Sequence, residues 1–168
     1  MGWDKGVDYE SAYAKIVRHM TKAKAPAKCY DAVLLLQLRN GLRVSEAVRA
    51  FKEFLLRRAL EVEVRVSKKR RAEVRMVIVP RELIDMTLAE CRDMLSIDEA
   101  KLVTRVKVYC RRRYGFNTHS LRYAFVTFLL RQGVPSSIIA KITRHSRLDY
   151  VITYTQERAA EEVLRKLG

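Results

Sequence analysis

Two periods of hydrophobic and polar residues divide this chain. From Asp8 to about Thr21, the apolar residues Tyr13, Ile16, Val17 and Met20 recur three and four apart, which predicts an amphipathic helix with Asp8 as its cap. Ala25-Pro26-Ala27 breaks it. Lys28 to Arg39 predicts a second helix, apolar all round through Val33-Leu34-Leu35-Leu36 and therefore central in the core. Asn40-Gly41 ends it, with Gly41 as a left-handed cap. Ser45 is placed to cap a third helix carrying Ala47, Val48 and Phe51.

Residues 61 to 79 change to a period of two. Val62, Val64 and Val66 alternate with Glu61, Glu63 and Arg65, and Val74, Met76 and Ile78 alternate in a second run. Between them lies Ser67-Lys68-Lys69-Arg70-Arg71-Ala72, so the segment predicts an antiparallel hairpin with a basic tip. After Pro80 the helical period returns at about 81–95 and 97–114. Ser96 and Glu99 suggest a capping box for the second of these, and Gly115 stops it. Thr118 is placed to cap a helix through Leu130, Ser136 or Ser137 opens a short one, and a last segment from about Asp149 carries Tyr154. The tail Glu157 to Leu167 follows, with Ala160, Val163, Leu164 and Leu167 on one stripe. The expected fold is mainly α with a small antiparallel β-sheet (α+β), in one domain over residues 1–168.

Charge narrows the partner. Lys and Arg number 34 against 19 Asp and Glu, a formal net charge of +15, which favours a polyanion and first of all double-stranded DNA. No run of about 18 apolar residues is present to span a membrane. Cys29, Cys91 and Cys110 form no CxxC, and His19, His119 and His145 form no zinc-binding pattern, so a structural zinc site is not expected. An odd count of three cysteines, with no signal-peptide pattern, suggests a reducing, intracellular setting. The five Asn and Gln residues among so many charges hint at a thermophile.

Candidate chemistry lies in residues that are ordinary one by one. His119 and Arg122 are three apart at a helix start, where they share a face and free N–H groups attract anions. Arg43 sits between two apolar helices, where a guanidinium can grip a phosphate through two parallel hydrogen bonds. Two arginines together can neutralise charge on a pentacoordinate phosphorus. Tyr154 is a poor nucleophile at a pKa of about 10 unless cations stabilise its phenolate. Lys68 or Lys69, on the hairpin tip, can donate a proton to a leaving oxygen, and Arg70 and Arg71 extend the same DNA-facing tip.

In this order the residues resemble the catalytic domain of the tyrosine recombinases, the phage-integrase superfamily, with an archaeal flavour. Asn40-Gly41-Leu42-Arg43-Val44-Ser45-Glu46 is similar to the family's first arginine box. Thr118-His119-Ser120-Leu121-Arg122-Tyr123 is similar to its HxLR box, Arg144-His145-Ser146 to its GH element, and Ile152-Thr153-Tyr154-Thr155 to its tyrosine box. Tyr123 stands where many members have histidine, and Arg144 where most have glycine. The resemblance implies that Arg43 and Arg122 clamp a scissile phosphate, and that His119 helps move the tyrosine proton. His145 would hydrogen-bond a phosphate oxygen, Lys68 or Lys69 would be the general acid, and Tyr154 would form a 3′-phosphotyrosine. Neither ATP nor a metal is implied. The family's amino-terminal DNA-binding domain is not recognised ahead of residue 8, and the tail is expected to pack in cis or on a neighbouring protomer. A relaxing type IB topoisomerase and a non-catalytic DNA-binding fragment are the alternative readings.

Overall fold

The computed structural model describes residues 6–87, 89–145 and 149–168; the side chains of residues 149–155 and 158 lie outside the description. The elements are α1 (Tyr9–Lys22), α2 (Ala27–Asn40), α3 (Val44–Arg57), β1 (Glu61–Arg65), β2 (Val74–Ile78), α4 (Arg81–Ile84), a 3-10 turn (Ala89–Ser96), α5 (Glu99–Tyr114), α6 (His119–Arg131), α7 (Ser136–Thr143) and α8 (Asp149–Leu167). The fold is thus mainly helical with one small antiparallel sheet, as expected.

The core is built around α2, whose Cys29, Ala32 to Leu36 and Leu38 are all buried. A helix apolar on every side must be covered on every side, and α1, α3, α5 and α6 all pack on it. The predicted caps at Asp8, Gly41 and Gly115 are present: the Asp8 carboxylate accepts from the Ser11 N–H at 2.9 Å, and the two glycines have φ of 64° and 80°.

Three other caps differ from expectation. α3 starts at Val44 rather than after Ser45, because the Glu46 carboxylate accepts from the Arg43 N–H at 2.9 Å. Ser45 instead meets the Ser67 hydroxyl at 2.7 Å. For α5, Ser96 turns back to donate to the Asp93 carbonyl, Glu99 pairs with Arg49, and Asp98 becomes the cap. At α6, Asn117 rather than Thr118 accepts from the Ser120 N–H, at 3.0 Å. The helix expected at 81–95 is also broken in two. α4 ends at Ile84, and a 3-10 turn takes over at Ala89, where Cys91 is bonded to Cys29 of α2.

The hairpin has the expected strands but not the expected inner face on β2. Val62 pairs with Val77 and Val64 with Arg75, so the buried face is Val62, Val64, Arg75 and Val77. The apolar run Val74, Met76 and Ile78 faces out, each residue at least half exposed. Arg75 is buried because its Nη2 donates to the Asn40 carbonyl at 2.7 Å.

The cysteine inventory also needs correction. Cys29 on α2 and Cys91 in the 3-10 turn form a disulfide, and the buried Cys110 is the free thiol. An odd count concealed a pair. Intracellular proteins of hyperthermophiles carry such bridges, so the bridge agrees with the low amide content better than with the thiols expected of a reducing setting. It closes a loop across 62 residues of sequence. Cross-linking a loop of that size removes unfolded-state entropy equivalent to about 4 kcal/mol. We expect dithiothreitol, or Cys29→Ala with Cys91→Ala, to lower the melting temperature by many degrees, and calorimetry with and without reductant checks this. An unchanged melting temperature would show that the bridge does not stabilise the fold.

Candidate active site

The candidate residues meet where the carboxyl end of α2, the start of α3, the hairpin and the start of α6 come together. Glu46, fully buried on the first turn of α3, is the fixed point. Its carboxylate accepts from the Arg43 N–H at 2.9 Å, from Arg43 Nη1 at 3.1 Å and from the Ser67 N–H at 2.9 Å, and it lies 3.9 Å from Arg122 Nη1. One carboxylate therefore holds the first arginine, faces the second and anchors the hairpin.

Ser67 is fastened twice more, by the Ser45 hydroxyl and by Arg49 Nη1 at 3.0 Å. Arg49 also donates to the Arg65 carbonyl and grips Glu99 of α5 with two nitrogens, at 2.6 and 3.1 Å. Lys68 follows Ser67 directly, in a left-handed turn with φ of 61°. It lines a cavity of about 600 Å³ together with Arg43, Lys107, Arg111 and His119. Lys69, Arg70 and Arg71 continue the tip; Lys69 is half-buried, while Arg70 and Arg71 are exposed.

The Asn40-Gly41 turn receives two buried guanidiniums on successive carbonyls. Arg75 Nη2 donates to the Asn40 carbonyl and Arg122 Nη1 to that of Gly41, both at 2.7 Å. A helix carboxyl end carries partial negative charge and orphan carbonyls, so cations are favoured there. The Asn40 side chain locks the turn to the sheet, donating to the Ile78 carbonyl at 2.9 Å and accepting from the Ile78 N–H at 3.0 Å. Arg75 was not singled out from sequence. Its signal was a charged residue inside a strand, and that reads as solvent-facing until the register is known.

These arginines are not fully paired. Arg122 Nη2, Arg75 Nε and Nη1, and Arg144 Nε are buried without a hydrogen-bond partner among the described residues. Burial first, then neighbouring cations, pushes Arg122 down to about 9 and Arg75, for the same leading reason, to about 10. Both stay charged at neutral pH. Three guanidiniums, Arg43, Arg75 and Arg122, thus surround a single carboxylate, and the site has spare positive charge and spare donors.

The two histidines are neutral. His145 follows α7, whose cap is Arg144 at φ of 60°, a left-handed position where glycine is the unstrained choice. Burial, then Arg122 and Arg43, pushes His145 down to about 3. Its Nε2 lies 3.2 Å from Arg122 Nε and its Nδ1 2.6 Å from the Thr143 hydroxyl. His119 keeps an exposed edge at the cavity, yet packing around the ring and the charges of Arg122, Lys68 and Arg43 lower its pKa. Tyr123 packs edge-on against His119, with ring centres 5.1 Å apart.

Arg43, Lys68, His119, Arg122 and His145 are therefore brought to one corner. Tyr154 lies on α8 by its backbone, but its side chain is outside the described residues. Among the described residues, no group of three or more His, Cys, Asp and Glu side chains gathers as a metal site, and no helix is long and apolar enough to cross a membrane.

Two outcomes follow from this geometry. At Gly41 a Cβ would sit 2.3 Å from Phe125 Cδ1, with φ already at +64°. Gly41→Ala should therefore cost about 2–4 kcal/mol in strain and overpacking, and a denaturant midpoint equal to wild type would refute the account. His145 titrates near 6.5 when unfolded and near 3 when folded. The unfolded chain binds the extra proton between those values, so this group's contribution to stability is complete above pH 6.5 and shrinks as pH falls toward 3. His145→Gln should flatten that part of the stability–pH curve, measured by chemical denaturation; an identical slope would mean that the depressed value is wrong.

Comparison with known proteins places this arrangement. The model of the phage integrase family matches residues 9–161. The chain is 39% identical over 170 residues to "Putative integrase ORF241" of Acidianus two-tailed virus, covering 99% of this chain and 69% of that protein. It is 33% identical over 198 residues to the uncharacterized protein MJ0770 of Methanocaldococcus jannaschii, covering 99% of this chain and 89% of the relative. Tyrosine recombinase XerA of Thermococcus kodakarensis is 33% identical over 169 residues, covering 89% of this chain and 58% of XerA. No solved structure gives a significant match. A family match across nearly the whole chain, together with two arginine boxes folded onto one carboxylate, makes this chain a member of the phage integrase family of tyrosine recombinases.

Proposed function

We propose that the protein breaks and rejoins DNA strands through a 3′-phosphotyrosine at Tyr154, as the catalytic part of a site-specific recombinase. The observation that carries this reading is the surplus of buried guanidinium donors at a corner shared by Arg43, His119, Arg122 and His145. Buried donors without partners cost stability, and a phosphodiester supplies the acceptors they lack. Preorganised donors of this kind act most strongly on charge that develops in a transition state.

In this reading Arg43 and Arg122 hold the non-bridging oxygens, and Arg75 adds charge from behind. The Tyr154 oxygen attacks phosphorus, its proton passes toward His119, and the 5′ oxygen leaves with a proton from Lys68. The anchoring of Ser67 and the place of Lys68 beside Arg43 and His119 favour Lys68 over Lys69. One phosphodiester becomes another, so its bond energy is kept for religation, and the chemistry calls for neither ATP nor a metal. Lys107 and Arg111 of α5, beside the basic tip, suit the flanking backbone of a duplex. On α8, Val163, Leu164 and Leu167 are all more than half exposed, and an Arg131–Glu162 pair at 3.2 Å ties the helix to α6. An uncovered apolar stripe supports docking of this tail on a neighbouring protomer.

The test is a suicide duplex incubated in EDTA, followed by denaturing electrophoresis. Wild-type protein should leave a covalent adduct that Tyr154→Phe abolishes with DNA binding nearly intact. Arg122→Ala should slow adduct formation by a factor corresponding to roughly 3–4 kcal/mol. An adduct mapped to Tyr150, or activity that returns only with Mg²⁺, would overturn the reading.

A further inference from the structure

His145 is wired in one direction. Arg122 Nε always carries a proton, so His145 Nε2, at 3.2 Å, must accept. A neutral imidazole has one N–H, which must then be on Nδ1 and must donate to Thr143 Oγ1 at 2.6 Å. The Thr143 hydroxyl completes the chain by donating to the Ile139 carbonyl at 2.9 Å. Three hydrogen bonds thus point the same way, from Arg122 through His145 and Thr143 into the backbone of α7.

In this state His145 offers a lone pair at Nε2 and cannot donate to a phosphate oxygen, the role that the family resemblance implies for it. The groups around it are Arg122, Arg43, Arg75, His119 and the ring of Tyr123. Three of these are cations, and among the described residues none of them is a carboxylate that would stabilise an imidazolium. The neutral route is to reverse the chain. One proton leaves Nδ1 to water and one arrives at Nε2 from water, while the Thr143 hydroxyl turns from the Ile139 carbonyl to Nδ1. That carbonyl lies within α7, where backbone N–H groups are acceptable partners. Only a group that both donates and accepts can serve both states, and Thr143, fully buried beside the ring, is such a group.

We propose that Thr143 is a positioning residue whose hydroxyl lets His145 change from acceptor for Arg122 to donor for the scissile phosphate without gaining charge. This rests on the reading of His145 as a phosphate-facing group. The test is nitrogen-15 NMR of the histidine rings in the Tyr154→Phe protein, alone and with a short mixed-sequence duplex at low ionic strength. The expected result is the Nδ1–H tautomer in the free protein and the neutral Nε2–H tautomer in the complex. Thr143→Val should lose that exchange and, with Tyr154 intact, cleave roughly tenfold to a hundredfold more slowly, by analogy with the hydrogen-bond partners of metal-binding histidines. Thr143→Ser should restore both, which guards against a folding defect. A ring that keeps Nδ1–H on DNA, an imidazolium in the complex, or wild-type cleavage by Thr143→Val would each overturn the proposal. If no variant, wild type included, forms an adduct, the strand-cleavage reading fails, while the ring spectra still decide the role of Thr143.

Discussion

The Glu46 carboxylate is the interaction on which the rest of the site depends. It is fully buried, and it is satisfied by two groups of Arg43 and by the Ser67 backbone. A buried charge is costly unless paired and hydrogen-bonded, and removing one partner of such a pair typically costs about 3–5 kcal/mol. Here the same pairing does three jobs. It starts α3, it orients the first arginine, and it sets the hairpin at the place where Lys68 reaches the cavity.

Around that one negative charge the fold keeps more positive charge than it neutralises. The α2 carboxyl end makes this tolerable, because the Asn40 and Gly41 carbonyls each hold one buried guanidinium. The spare nitrogens are then fixed in place but not satisfied. Stability is given up where an anion can bind, and the cost is spread over a core centred on α2 and stitched to the 3-10 turn by a disulfide. Neutral histidines follow from the same choice. Burial first, and then the surrounding cations, disfavour a proton on His119 and His145, so both rings are neutral at pH 7.

The order of helices, the hairpin and the candidate cluster were legible in the sequence for a physical reason. Helical and strand periods are local, and Gly41 and Gly115 mark helix ends through backbone angles that only a few residues adopt without strain. Motif residues at fixed spacing then pointed to the family. The chain by itself therefore determined the fold class, the family and which side chains carry charge to the site.

Tertiary structure alone decided how those charges are used. Ser45 looks like a cap, but Ser67, 22 residues further on, claims its hydroxyl, a pairing that no local pattern encodes. The apolar run Val74, Met76 and Ile78 faces solvent because the register of β2 answers to a long-range partner. The Asn40 carbonyl and side chain outweigh the hydrophobic alternation and draw Arg75 inward. The Cys29–Cys91 pairing likewise joins residues 62 apart, beyond any spacing rule. Local propensity sets each element, but the pairing of buried polar groups is a property of the assembled chain, because a group taken out of water must find its partner wherever the fold provides one.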